Sequence, residues 1–248
     1  MPRDPDHPAV RSAPAPSPAC GSDSFEDIWA GLEPAFRHCL ELAWASARAG
    51  SLGIGCVITA SAGETVATGR NRLFESDCGD DHLAGSPVAH AEMNALGKLR
   101  AGADHRELTL WTSLEPCLLC AGGIRLARVG RVCFLAADPL WNGMAEVLSS
   151  NPFGLAHGIK TSGPRPGELA GFAMLLPFHA WQFWAPGSDA NQLWHAHSPA
   201  LGDLAVQLAA SHELVALAAA AAPVTEVIRE LWGRLGAAVG TDPGDALA

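Results

Sequence analysis

Two cysteines, Cys117 and Cys120, stand three residues apart directly behind Pro116 in the stretch TSLEPCLLCAGG, residues 112–123. Three readings are open: half of a metal site, a redox pair, or two buried thiols. Positions i and i+3 of a helix face the same way. A helix N-terminus also lowers a thiol pKa, favouring the thiolate that a metal needs. A structural four-cysteine site needs a second Cys-x-x-Cys pair, and the cysteines at 20, 39, 56, 78 and 133 stand singly. A redox pair would lie near a βαβ unit, which this segment loosely matches. Redox motifs, however, put small or polar residues between the cysteines, not Leu118 and Leu119.

The third ligand candidate is His90 in VAHAEMNAL, residues 88–96, with Glu92 two positions on. One imidazole and two thiolates make three protein ligands for zinc, which leaves the fourth tetrahedral position to water, as a catalytic site requires. The ion lowers the pKa of that water towards ~7. Glu92 is then close to the metal without being needed as a ligand, and its carboxylate can carry protons from water to substrate. A buried histidine beside two core thiols is the alternative, and it leaves Glu92 without a purpose.

Periodicity places these residues on elements. From Phe25 to Ala49 the apolar residues Ile28, Leu32, Phe36, Leu40 and Ala43 recur at helical spacing, with Gly50 as its stop. Residues 54–60 and 64–69 read as a β-hairpin. Residues 90–100 and 116–129 read as helices, with Pro116 in the first turn of the second. Residues 108–113 and 131–137 read as strands, and 157–163 as a possible fifth. This order predicts an α/β fold, a mixed sheet covered by helices. Residues 1–24 are proline-rich and read as a disordered tail. Beyond about residue 171 an aromatic-dense stretch, 171–184, precedes two Ala/Leu-rich helices, 201–221 and 223–238.

The formal net charge is −10, from 26 acidic and 16 basic residues. Such a surface repels polyanions and disfavours nucleic acid and anionic membranes as partners. No run reaches the ~18 apolar residues of a membrane span. The N-terminus lacks the basic-then-apolar pattern of a signal peptide. Scattered, unpaired cysteines then predict a cytoplasmic protein with reduced thiols.

The order His-x-Glu, then Pro-Cys-x-x-Cys, is the pattern of zinc deaminases. With VAHAEMNAL, TSLEPCLLCAGGI and ARVGRVCFLAAD, the chain resembles the cytidine/deoxycytidylate deaminase superfamily, most of all its tRNA adenosine deaminase and guanine deaminase branch. GIGCVITASAGETVATGRNR, residues 53–72, looks like the first hairpin of that fold, and the resemblance covers residues 25–165. It implies a three-layer α-β-α domain with a mixed five-stranded sheet over residues 25–170, and the Ala/Leu-rich helices beyond it predict a C-terminal helical extension over 171–248 that packs on the core or on a partner subunit. It implies Zn2+ held by His90, Cys117 and Cys120, with Glu92 as proton shuttle. Asn71 and the backbone amide of Ala91 would contact the substrate, and the assembly would be a homodimer. Asn71 also reads as a turn asparagine after a strand. Trp141, in the loop after the fourth strand, is a further pocket candidate because strand-end loops carry substrate contacts.

Two features depart from that branch. The loop 75–86 carries Glu75, Asp77, Asp80 and Asp81, and the segment after 171 is an addition. Both are sparse in Lys and Arg, where a tRNA-directed enzyme needs cations. The expectation is therefore a zinc-dependent aminohydrolase acting on a small heterocycle: a free nucleobase, a nucleoside or a relative. The rivals are the same chemistry on tRNA or single-stranded nucleic acid, and a zinc-binding module of the same fold without turnover. Cys56, Cys133 and Trp111 read as core, Cys78 as an exposed thiol, and His82 and His105 as surface histidines. Trp181, Phe183 and Trp184 read as a packing anchor or a lid.

Overall fold

The computed structural model describes residues 24–143, 150, 152 and 159–240. The expectation of a disordered tail therefore falls, apart from Ser24, outside the described residues. The single helix expected from Phe25 to Ala49 is two, α1 (Phe25–Gly31) and α2 (Pro34–Arg48). Pro34 forces the preceding Glu33 into an extended conformation (ψ 136°) and then fits the first turn of α2. After α2 the chain turns at Gly50, whose φ of 78° is a region glycine enters without strain.

Five strands follow: β1 (Gly55–Thr59), β2 (Thr65–Arg70), β3 (Thr109–Leu114), β4 (Arg131–Ala136) and β5 (Lys160–Ser162). They form one sheet in the order β2-β1-β3-β4-β5. β1 runs antiparallel to both β2 and β3, and β3, β4 and β5 run parallel, so the sheet is mixed. Alternate residues of β4 serve opposite faces. Val132 and Phe134 join Ala91, Ala95 and Ile124, whereas Cys133 and Leu135 join Phe36, Leu40 and Leu176. One helix layer is thus α3 (Ala91–Leu96) and α4 (Leu118–Ala127), and the other is α2 with α5 (Glu168–Trp184). The result is the three-layer α-β-α arrangement. Gly69 lets β2 lie against α3, since a Cβ there would sit 2.5 Å from the Ala95 amide nitrogen.

The aromatic-dense stretch is the interior of α5, where Phe172, Leu175, Leu176 and Phe178 are buried. The expected boundary near residue 170 falls inside this helix. Beyond it lie α6 (Asp189–His197), α7 (Pro199–Ser211), α8 (Glu213–Ala219) and α9 (Val224–Val239). The helix expected over 201–221 breaks at His212, which is left-handed (φ 58°). α6 has no counterpart in the sequence reading; Ser188 caps it by accepting from the Asn191 amide. α9 buries Val224, Val227, Ile228, Leu231 and Leu235 at helical spacing. The Trp44 indole N–H donates to the Ala222 carbonyl at 2.7 Å, tying α2 to the chain just before α9. No helix among the described residues is long and apolar enough to cross a membrane.

Candidate active site

Two helix N-termini converge on one spot. His90 is the N-cap of α3 in extended conformation, and Cys117 is the N-cap of α4. Pro116 therefore precedes the cap instead of opening the helix as expected. Cys120 follows in the first turn of α4, so both sulfurs still face the same way. The Cys117 and Cys120 sulfurs lie 3.5 and 3.4 Å from His90 Nδ1, and the three donor atoms fall within 4.8 Å of one another. A tetrahedral zinc ion, bonded at about 2.3 Å to sulfur and 2.0–2.1 Å to nitrogen, holds such atoms roughly 3.5 Å apart. The donors fit the ion as they stand.

Electrostatics divide the donors: the Cys117 thiolate is favoured, whereas the hydrogen bond with Cys117, then burial, push the Cys120 thiol well up. A hydrogen bond with Cys120, and another with His90, hold the Cys117 thiol down to about 4 against burial. Burial pushes His90 down, but Cys117 and Glu92 outweigh it and leave it raised. Glu92 is 4% exposed. The Thr112 hydroxyl donates to its Oε1 at 2.9 Å, and its Oε2 lies 3.3 Å from the Cys120 sulfur. Burial, then the nearby Cys117, raise its pKa above the usual carboxylate range.

A cavity of about 640 Å³ opens in front of these groups. Asn71, His90, Glu92, Glu115, Cys117 and Asp138 supply its polar wall. The 85–87 turn with Ser86, Leu and Ile side chains, Phe74, Trp141, Pro177, Trp181 and Trp194 supply the rest.

Residues 31–136 match the family described as the cytidine and deoxycytidylate deaminase zinc-binding region. The matched stretch contains His90, Glu92, Cys117 and Cys120 and makes up less than half of the chain. The chain is 32% identical over 111 residues to a tRNA-specific adenosine deaminase of Streptococcus pyogenes serotype M1, covering 44% of this chain and 60% of the relative. It is 36% identical over 113 residues to a tRNA-specific adenosine deaminase of Haemophilus influenzae, covering 43% and 58%. The match thus spans about three-fifths of the length of these curated relatives. A solved guanine deaminase from Nitrosomonas europaea shares 22% identity at a TM-score of 0.45, covering 60% of this chain and 84% of that one.

The fold brings His90, Glu92, Cys117 and Cys120 together, as the motif requires. Asn71 is 1% exposed and lines the cavity. Its Oδ1 accepts from the Leu73 amide at 3.0 Å and from the Ser51 hydroxyl at 2.9 Å. The Leu73 N–H can only donate, so it fixes which end of the carboxamide is oxygen. The turn reading and the pocket reading of Asn71 are therefore compatible: oxygen closes the turn, and Nδ2 remains for the cavity. Ala91 is fully buried and absent from the described cavity wall, but its N–H is at the first helical position and has no intrahelical acceptor. Trp141 is 45% exposed at the wall.

Asp138 went unnamed in the sequence reading, although it lies two residues beyond the end of β4. Its Oδ1 accepts from the Leu140 and Trp141 amides at 2.8 and 3.2 Å, and burial raises its pKa to about 6. Position after a strand end was the available signal. Pro177 and Trp194 were also missed, since nothing local ties helices beyond residue 170 to this cavity.

The acidic loop is not the unpaired negative rim expected of it. Glu75 accepts from Arg70 and Arg72, and Asp81 accepts from Arg72 at 2.7 Å and Lys98 at 2.8 Å. The cations come from Arg70 at the end of β2, Arg72 two residues beyond it and Lys98 in the turn after α3. His105 is partly buried, with Nδ1 2.9 Å from the Ala127 carbonyl oxygen. Trp111 packs edge-on against Phe36, with centroids 4.9 Å apart, and donates to the Thr59 hydroxyl. Cys56 and Cys133 are buried, and Cys78 is exposed.

Proposed function

We propose that the protein is a zinc-dependent hydrolytic deaminase of a free nucleobase, a nucleoside or a related amino-heterocycle, replacing an exocyclic amino group with oxygen and releasing ammonia. The observation that carries this reading is the chemistry of the cavity wall. It contains Glu92, Glu115 and Asp138 but no Lys or Arg among its described residues. A phosphate about 5–10 Å from each carboxylate meets repulsion of roughly 2–3 kcal/mol per pair at an effective dielectric of about 20. Phosphate sites supply Arg, Lys or helix N-termini, and the two N-termini here face the metal donors.

His90, Cys117 and Cys120 would hold a zinc ion, which would supply a water molecule with its pKa lowered to about 7. The chain's own groups do the rest. Thr112 fixes Oε1 of Glu92, so Oε2 is the oxygen that takes a proton and passes it first to the ring nitrogen and then to the leaving amine. Asn71 Nδ2 and the Ala91 N–H are the donors that hold the ring, and Trp141 covers it from the loop after β4.

A second reading, deamination within tRNA, is favoured by the names of the curated relatives. Ammonia release measured over bases, nucleosides, 5′-monophosphates and tRNA separates the two. Preference for the monophosphate or for tRNA at physiological salt overturns the first reading. A chain that turns over none of them while holding zinc is the non-catalytic module, which gives Glu92 no task. The same reading makes the protein a cytoplasmic homodimer. Leu118, Leu119 and Leu126 on α4, all substantially exposed, are apolar surface that a second copy would cover.

A further inference from the structure

The cavity is larger than the ring that deamination requires. It holds about 640 Å³, whereas a bicyclic base fills on the order of 150 Å³ at interior packing density. The extra wall does not come from the family region alone. Pro177 and Trp181 belong to α5 and Trp194 to α6, all beyond the matched residues 31–136. They line the cavity together with Leu52, Ile54 and Phe74 of the deaminase domain. Phe74 is not free to swing away, because Trp184 at the end of α5 lies stacked on it. Trp194 is 2% exposed and packs against Phe178, so its place in the wall is set by the core.

This wall selects chemistry. On the side of Phe74, Pro177, Trp181 and Trp194 a ribose would find the unpartnered Trp194 N–H but no acceptor for its hydroxyls, at a cost. A phosphate meets the carboxylates described above. A flat apolar group finds aromatic faces and no charge to desolvate. Resting on the deaminase reading, we infer that the substrate is an amino-heterocycle bearing an apolar substituent of about the size of a benzyl group, which packs against Phe74, Pro177, Trp181 and Trp194. The helices beyond the deaminase domain thereby set specificity: they add no reacting group and instead enlarge the cavity on one side with aromatic surface.

The test uses the zinc-loaded full chain and three rings: cytosine, adenine and guanine. Each is offered as the bare base, the ribonucleoside and the ring-N-benzyl derivative. For the ring that turns over, the benzyl derivative should exceed both other forms in kcat/KM by about tenfold or more, the effect of burying one aromatic group. Trp181→Ala should cut that ratio several-fold, and Trp181→Phe should keep most of it. A readout without turnover is calorimetric affinity for the same compounds in Glu92→Gln, where the order should be the same. Turnover that is equal or better for the bare base or nucleoside overturns the inference and leaves the deaminase reading intact. A benzyl preference that Trp181→Ala does not diminish also overturns it. If no compound turns over, Trp181-dependent binding of the benzyl forms to the wild type tenfold tighter than the other forms supports the apolar subsite and counts against the deaminase reading, whereas equal binding overturns the inference as well.

Discussion

The Trp184 indole lies flat on the Phe74 ring, with centroids 3.6 Å apart and planes inclined by 13°. Its N–H donates to the Gly50 carbonyl at 3.1 Å. One side chain thus joins the end of α5 to the turn after α2 and to the cavity wall just past Asn71. Trp184→Ala removes the stack and the hydrogen bond, and should cost about 1–2 kcal/mol. It should raise KM more than it lowers kcat, because Phe74 lines the cavity and touches no reacting atom. Urea unfolding and steady-state kinetics measure the two effects; an unchanged KM means that Phe74 keeps its place without the tryptophan.

Removing a metal ligand should cost both metal and stability. Cys117→Ser and Cys120→Ser are expected to purify with little zinc and to melt lower, since binding free energy at a site absent from the unfolded chain is folding free energy. Elemental analysis and thermal melts check this. Wild-type protein purified without chelator and free of zinc would refute the metal assignment.

Glu92→Gln should separate holding the metal from using it. The variant keeps Thr112 as a neighbour and keeps the ligand set, so zinc content should match the wild type. Turnover should fall by roughly 10²–10⁴-fold, the usual worth of a positioned acid/base. Activity within tenfold of wild type would assign the proton transfers to another group.

His179 should impose an acid limit on stability. It is buried, its Nε2 has no hydrogen-bond partner, and burial, with a smaller contribution from His212, lowers its pKa to about 4. Between about 4 and 6.5 the unfolded chain binds a proton here that the folded chain refuses, so this contribution is lost as pH falls through that window. Asp138 works the other way, because its raised pKa of about 6 lets the folded state bind the extra proton. The two partly cancel in the wild type, so the readout is a difference. His179→Leu should gain on the wild type by up to about 3 kcal/mol between pH 7 and pH 4. Parallel stability curves for the two proteins would show that His179 carries no such penalty.

Ending the chain after Trp184 should expose the faces of α2 and α5 that α6 to α9 cover. Trp194, Leu201, Leu204, Leu208 and Leu231 form one core cluster with Phe172, Leu175 and Phe178. The shortened protein is expected to aggregate or to bind a hydrophobic dye strongly, as seen by light scattering and fluorescence. A soluble, monomeric and fully active product shows that these helices are dispensable.

The metal set and the sheet were legible because each rests on local pattern. His90, Glu92, Cys117 and Cys120 sit at spacings fixed by single helical turns, and β1 to β4 alternate or run apolar over five or six residues. Breaks were harder to read. The kink at Pro34 and the left-handed residue at His212 interrupt stretches whose apolar spacing continues through them. The partners of Glu75 and Asp81 were missed for another reason. Arg70, Arg72 and Lys98 reach them through the fold, with Lys98 17 residues from Asp81, so a count confined to the loop saw only anions. The walls supplied by Pro177 and Trp194 depend on contacts across more than a hundred residues of chain.

That pairing has a kinetic consequence. Arg70, Arg72 and Lys98 set three positive charges against Glu75 and Asp81 at the approach to the cavity, so that with the exposed Asp77 and Asp80 the cluster carries a net charge of only about −1. Opposite charges within hydrogen-bond distance cancel beyond a Debye length of about 8–10 Å. A diffusing molecule is therefore neither drawn in nor turned back by this loop at long range. The loop therefore adds little to the ionic-strength dependence of encounter, and the discrimination it leaves undone falls to the cavity, after the molecule has entered and shed its water.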